Sequence, residues 1–207
     1  LASKKQKKKN KALPIVLILF LMAGSVSMFM LYRWIYANNI NEQYQNEYFY
    51  IYSNWTYDDV LTGLQEKDVV KNINSFDWVA KQKNYPNNLN PGKYKIIKPL
   101  SNNELVNLFR SGDQEPVQVL VKSFRKKEKL SATLGEILEP DSADFQTIFS
   151  NNEFLNSYGF KPTTFPALIL PNTYEFYWNT SPEQFIARMA LEYKKYWKEE
   201  RKQKAKQ

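Results

Sequence analysis

The sequence contains no histidine and no cysteine in 207 residues. Without histidine, the Ser-His-Asp and Cys-His nucleophile systems are excluded. Without either residue, zinc would have only carboxylates for ligands, which excludes the usual structural zinc site. No disulfide can form, a condition compatible with any redox compartment. Acid is also missing from the first 33 residues, which hold seven Lys and Arg. The rest of the chain carries 22 of the 29 basic residues against all 21 acidic ones. The formal charge of +8 is therefore a property of the N-terminus. A nucleic-acid protein needs its basic face on the folded domain, so the charge distribution argues against nucleic acid as a partner. What is present is aromatic: Phe, Trp and Tyr make up 15% of the residues. That content favours a folded chain, and the length suffices for one or two small domains with real cores.

From Ala12 to Tyr32 no residue is charged. A helix of that length spans ~31 Å at ~1.5 Å per residue, about the thickness of a bilayer's hydrocarbon layer. Lys4, Lys5, Lys7, Lys8, Lys9 and Lys11 precede it, and only Arg33 follows closely. The positive-inside rule then places the N-terminus in the cytoplasm and Asn38 onward outside. Tyr32, Trp34 and Tyr36 stand where an interfacial aromatic belt belongs. A cleaved signal peptide would have a shorter apolar region, roughly 7–15 residues, and a small-residue cleavage site. A segment apolar on every face fits a membrane span better than a core helix of a small domain, which keeps a polar face.

Residues 37–47 are polar, lack hydrophobic periodicity and read as a juxtamembrane linker. Tyr48–Tyr52 has strand composition. Thr56 and Asp59 form a capping-box pattern ahead of Val60, Leu61 and Leu64 at helical spacing. A second helix is expected over Ser75–Gln82, with Phe76 and Val79 on one face. Pro91-Gly92 turns the chain into a strand over Lys93–Ile97. Ser101 and Glu104 form another capping-box pattern, with Leu105, Leu108 and Phe109 as the buried stripe and Ser111-Gly112 as the stop. Val117–Val121 alternates as a strand does. Lys122–Lys129 is basic and fits a solvated turn or a contact with an anionic surface. Helical segments are expected from Leu130 to Glu139, at Phe145–Phe149 and at Glu153–Ser157. Ser181, Pro182 and Gln184 supply N-cap, N1 and N3 of a last helix, with Phe185, Met189 and Tyr193 on one face. Its pattern runs on into a charged stretch without a stop signal before Gln207.

Ahead of that helix lies Ile169-Leu-Pro-Asn-Thr-Tyr-Glu-Phe-Tyr-Trp178, with one carboxylate amid aromatic residues. This run fits one wall of a cleft for a large polar ligand. The alternative is a packed turn in which Tyr174 and Phe176 are buried and Glu175 caps or pairs.

Three separated motifs in order carry a family resemblance: Pro91-Gly92-x-Tyr94; Asn103-Glu104-Leu105 through Ser111-Gly112; and Pro171-Asn172-Thr173-Tyr174-Glu175-Phe176. With the anchor, they resemble the YceG-like proteins, the endolytic murein transglycosylases called MltG, in a Bacteroidetes-like form. The resemblance covers roughly Tyr48 to Gln207. It implies an α+β fold: a transmembrane helix, a LysM-like βααβ subdomain, then a partial mixed α/β catalytic domain. The implied segments are a cytoplasmic basic tail at 1–11, the anchor at 12–36, the linker at 37–47, the LysM-like subdomain at 48–100 and the first part of the catalytic domain at 101–207. The implied activity is cleavage of nascent peptidoglycan glycan strands to 1,6-anhydroMurNAc ends, which terminates strand elongation. A protonated glutamic acid donates to the leaving oxygen and the sugar's own C6 hydroxyl attacks, so a second carboxylate is not required.

The resemblance further implies Asn172, Thr173, Tyr174 and Glu175 as substrate-binding residues, with Tyr174, Phe176, Tyr177 and Trp178 as flat apolar surface for sugar rings and Glu175 as a hydrogen-bonding partner for hydroxyls, and with no cofactor and no metal. Its implied partners are glycan strands, the bacterial cytoplasmic membrane crossed once, and cell-wall synthases or division proteins. Two departures stand out. Pro166-Ala167 occupy the place of the family's Glu-Gly, and Asn172 that of its Asp. The family's catalytic glutamate lies on an apolar helix downstream of the segment matched by Glu183–Lys206, so the expectation is an acid beyond Gln207 and a fragment inactive by itself. The competing expectation is non-enzymatic, a membrane-anchored peptidoglycan-binding or division scaffold protein.

Overall fold

The computed structural model describes residues 12–122, 124, 126–198 and 201. The basic tail, Ser123 and Arg125 of the basic turn, and the charged stretch at 199–200 and 202–207 lie outside the described residues.

The anchor is one helix, α1, Ala12–Tyr36, whose described apolar side chains up to Tyr32 are all exposed. The span Ile15–Tyr36 is long and apolar enough to cross a membrane. It is followed by strand β1, Glu47–Ile51, helices α2, Tyr57–Glu66, and α3, Ile73–Gln82, strand β2, Gly92–Ile96, and helix α4, Asn102–Ser111. β1 and β2 pair antiparallel with Phe49 opposite Tyr94. Both rings point into a core with Val60, Leu64, Phe76 and Phe109. Alternation explains the choice: one face of each strand is buried, the other half-exposed. Thr56–Asp59 and Ser101–Glu104 both close as reciprocal capping boxes, satisfying N–H groups that a helix start leaves orphaned.

Three expectations need correction here. α3 begins at Ile73, because Asn72 caps it by accepting from the Ser75 N–H. On α4, Val106 is fully buried and Leu108 only partly. Most consequentially, α4 belongs to this first core through Leu105, Val106 and Phe109, so packing divides the chain after Gly112 and not at residue 100.

The 37–47 segment is no free linker. Asn38 bridges Ser101 and Ile40 bridges Val70. Ile40 is wholly buried. Backbone N–H groups of Asn39 and Asn41 donate to Leu100 and Val69 carbonyls at 3.0 Å each. Backbone pairing needs no side-chain periodicity, which is why residue pattern alone does not reveal it.

The second lobe comprises strand β3, Val117–Val121, helices α5, Lys127–Ile137, α6, Ser142–Ser150, and α7, Asn152–Asn156, strand β4, Asn172–Phe176, and helix α8, Pro182–Tyr196. β3 and β4 pair antiparallel, Gln118 opposite Glu175 and Val119 opposite Tyr174. The core gathers Val119, Leu134, Phe145, Phe149, Phe165, Phe185 and Met189, with Phe149 stacked on Phe165 at 4.5 Å. α5 starts at Lys127, so part of the expected basic turn is helical. α8 ends at Tyr196 with Trp197 as its cap, short of the run expected from its charge pattern.

The lobes meet at Trp178, whose ring sits edge-on to Tyr50 at 4.9 Å and to Tyr52 at 5.0 Å. The Trp178 carbonyl accepts from the Glu139 N–H at 2.8 Å, and the Glu139 carboxylate accepts from the Ser53 N–H and hydroxyl at 2.6 Å each. Gly92 lies at the same seam with φ +154°, and any Cβ there would overlap the Gln114 side chain. The positive φ favours glycine after Pro91, and a larger residue would also push the Gln114 side chain aside.

Candidate functional site

The stretch Asn172–Phe176, expected to open as a turn, is strand β4. Period-two geometry sends Tyr174 and Phe176 into the core and leaves Thr173 and Glu175 exposed. The Tyr174 hydroxyl donates to the Leu170 carbonyl at 2.8 Å, and Phe176 packs on Phe185 at 5.3 Å. Phe176 is thus a core ring, and Trp178 is the pin between the lobes. Of the four aromatic rings considered as sugar surface, Tyr177 is the one left widely open, at 55% exposure.

Helix α8 runs beside β4 and presents a polar stripe next to its apolar one. Gln184, Arg188 and Glu192 recur every four residues and continue into Lys195 and Tyr196. Between this stripe and the hairpin runs a trough made of three adjoining hollows. One, about 540 Å³, is lined by Gln114, Glu175, Tyr177, Gln184 and Arg188 among others. A middle one, about 350 Å³, is lined by Gln118, Asn172, Thr173, Tyr174, Glu175, Arg188 and Glu192. The third, about 480 Å³, continues past Asn172 and Tyr174 to Lys195 and Tyr196. From Gln184 to Tyr196 the wall is roughly 18 Å long at ~1.5 Å per residue. The structure therefore brings Asn172, Thr173, Glu175 and an edge of Tyr174 to one concave surface.

The electrostatics of the trough centre on Glu192. Its carboxylate accepts from the Arg188 Nε at 2.8 Å and from the Lys195 Nζ at 3.1 Å. Burial pushes its pKa up, but those hydrogen bonds and charges outweigh it and hold the carboxyl below its ordinary value. Tyr174 is displaced upward, first by burial and then by the Glu192 charge. Glu175 makes no hydrogen bond or ion pair with another described side chain. It stands exposed beside Gln118, with Arg188 lining the same two hollows. The set of one carboxylate, one guanidinium, several amides and an open tyrosine ring suits a neutral or mixed polar ligand with many hydroxyls. Among the described residues no group of carboxylates is placed to hold a metal.

Gln118, Arg188 and Glu192 carry no functional signal in the sequence, and Gln184 is legible there only as the N3 residue of the cap. The four-residue spacing on α8 was visible, but a polar helix face is ordinarily only a solvated one. Its value as a wall depends on β4 lying alongside, which the sequence does not display.

No curated protein matches the chain. A crystal structure at 2.6 Å of a protein described as YceG-like, from Listeria monocytogenes, is similar to it with 20% identity and a TM-score of 0.38, over 72% of this chain and 54% of that one. The chain thus spans about half the length of that protein. The sequence pattern of the YceG-like family matches residues 49–207, from β1 to beyond α8. The match covers most of the chain, and the chain belongs to the YceG-like family, also called MltG.

Proposed function

We propose that this chain is the anchored, glycan-holding part of an endolytic peptidoglycan transglycosylase, one that cuts nascent strands to 1,6-anhydroMurNAc ends and so terminates their elongation. In this reading the first lobe is a LysM-like βααβ unit outside the cytoplasmic membrane, with the basic tail inside. The second lobe is the opening part of the catalytic domain, and its trough holds the strand. The observation that carries the reading is the trough itself. Glu175, Gln118, Gln184 and Arg188 give directed hydrogen-bonding groups, and Tyr177 gives a ring face, along a wall long enough for several sugars.

The acid is not assigned to any described carboxyl. A transglycosylase acid must stay protonated near neutral pH, which takes an apolar setting that raises its pKa. The carboxyls displaced here, Asp59, Glu104 and Glu192, are all displaced downward. Glu175 is exposed, so its role is binding.

The test uses the whole chain in nanodiscs and purified uncrosslinked glycan strands. Wild type is expected to retain strands, and Glu175→Gln with Arg188→Gln to weaken retention by roughly tenfold or more, the loss of one to two charge-assisted hydrogen bonds. Unaltered retention in the double variant would remove the trough from the reading.

A further inference from the structure

A second concavity lies where the anchor meets the first lobe. It holds about 440 Å³ and is lined by Met30, Arg33 and Trp34 of α1, by Ala37 just past its end, by Asn38 and Lys71, and by the amide-rich start of α3 and α4. The three α1 residues follow helical spacing and form one face. Val26 precedes Met30 by four residues on that face and is exposed. The hollow is therefore continuous with apolar helix surface on one side and with a polar, cationic pocket on the other. No Asp or Glu lines it, and neither Arg33 nor Lys71 forms an ion pair with a described residue.

The pocket is rigid. Asn39 donates to the Asn72 carbonyl at 3.0 Å and to the Asn102 side-chain oxygen at 2.6 Å. Asn102 donates to the Trp34 carbonyl at 2.8 Å and to the Ser75 hydroxyl at 2.9 Å. Asn39, Ser75 and Asn102 are buried. This network ties the end of the anchor to the starts of α3 and α4, so the mouth of the pocket keeps its shape and its depth relative to the membrane surface. Trp34 marks that depth as interfacial.

We propose that this hollow is a binding site for the phosphate headgroup of an anionic membrane lipid. Arg33 offers a planar fork of donors that matches phosphate oxygens, and Lys71 adds a second charge across the pocket. The acyl chains lie along Met30 and Val26. A soluble phosphate would make the same contacts with the two cations but gains nothing from the apolar face. A zwitterionic lipid gains that face but brings its own cation to a pocket without acid. The pairing of two cations with an apolar strip selects an anionic lipid over either.

The experiment reconstitutes the full chain in nanodiscs with trace phosphatidylglycerol or phosphatidylcholine bearing a photoactivatable diazirine in the acyl chain. Cross-links are mapped by peptide mass spectrometry, which separates this site from any lipid held by the lysines of the N-terminal tail. Cross-links to residues 26–39 are expected with phosphatidylglycerol, reduced by roughly thirtyfold in Arg33→Gln/Lys71→Gln, about fivefold for each cation lost. Arg33→Lys/Lys71→Arg keeps both charges and is expected to retain most of the yield, which excludes misfolding as the cause. Lys67→Gln, a cation outside the pocket, is expected to change nothing. Equal yields from the two lipids, or full yield in the double Gln variant, would overturn the proposal. Competition by millimolar inorganic phosphate would overturn the lipid assignment in favour of a soluble phosphate.

Discussion

At the scale of single residues, the chain's polar and aromatic side chains divide by burial and not by type. Trp178 lies in the same short stretch as Tyr177, yet the first pins two lobes together and the second stands open to solvent. Trp178→Ala removes a large buried ring at a seam and is expected to cost about 3 kcal/mol or more. Urea unfolding of residues 38–207 measures it. A loss under ~1 kcal/mol would mean that the lobes hold together without the ring. Asn39 and Asn102 behave as one unit for a different reason. Removing either leaves the other's buried amide group short of a partner, at about 1–3 kcal/mol. Asn39→Ala and Asn102→Ala are therefore expected to be sub-additive when combined, by ~0.5 kcal/mol or more in a double-mutant cycle. Additivity would show that the network is incidental to the fold. None of this was legible beforehand, because an asparagine in a polar run looks the same whether it is solvated or locked.

At the scale of elements, the legible parts were those written in local chemistry. The capping boxes at Thr56, Ser101 and Ser181 each close as their spacing implies, because the reciprocal bonds involve residues only three apart. A single side-chain cap at Asn72 and a further capping box at Asp141 set the starts of α3 and α6 and were missed where the apolar pattern begins a few residues later. β4 was obscured because Tyr174 and Phe176 alone carry its alternation, while Pro171 just before it reads as a turn and Tyr177 just after it extends the aromatic run. Ser101 offers a direct test. In the folded chain the Ser101 N–H and then its hydroxyl bond the Glu104 carboxylate, with Lys98 adding to them, and together they hold its pKa below the ordinary value. A depressed carboxyl contributes stability that is fully present above its unfolded pKa, about 4.3, and is lost as pH falls through the lower folded value. Ser101→Ala is expected to cost ~1 kcal/mol at pH 7. Glu104→Gln is expected to be less stable than wild type at pH 7, with the gap closing below about pH 4. Urea midpoints at pH 7 and pH 3 decide it. A gap that persists at pH 3 would mean the carboxylate's charge has no part in the cap.

At the scale of the whole molecule, the anchor and the two-lobed order followed from composition, whereas the trough and the rigid collar under the first lobe did not, since both are made by distant segments meeting. The trough brings residue 118 to 175 and 188, and the collar brings residue 39 to 72 and 102. That collar gives the orientation of α1 a structural consequence. With residues 38–41 built into the fold, the first lobe stands directly on the membrane on whichever side α1 exits. The charge pattern chooses the side. Six lysines precede the apolar span and one arginine follows it closely, and the arginine lines a pocket of the folded lobe. The positive-inside rule predicts a cytoplasmic tail and two exported lobes. Alkaline phosphatase, which is active only when exported, is expected to be active when fused after residue 207 in bacteria, and a fluorescent protein that matures only in the cytoplasm to be dark at the same site. Replacing Lys4, Lys5, Lys7, Lys8, Lys9 and Lys11 with Gln is expected to lower the phosphatase signal, because the remaining bias, at Arg33, has the opposite sign. If the wild-type phosphatase fusion is silent and the fluorescent one bright, the lobes and their trough face the cytoplasm, and the glycan-holding reading fails with them.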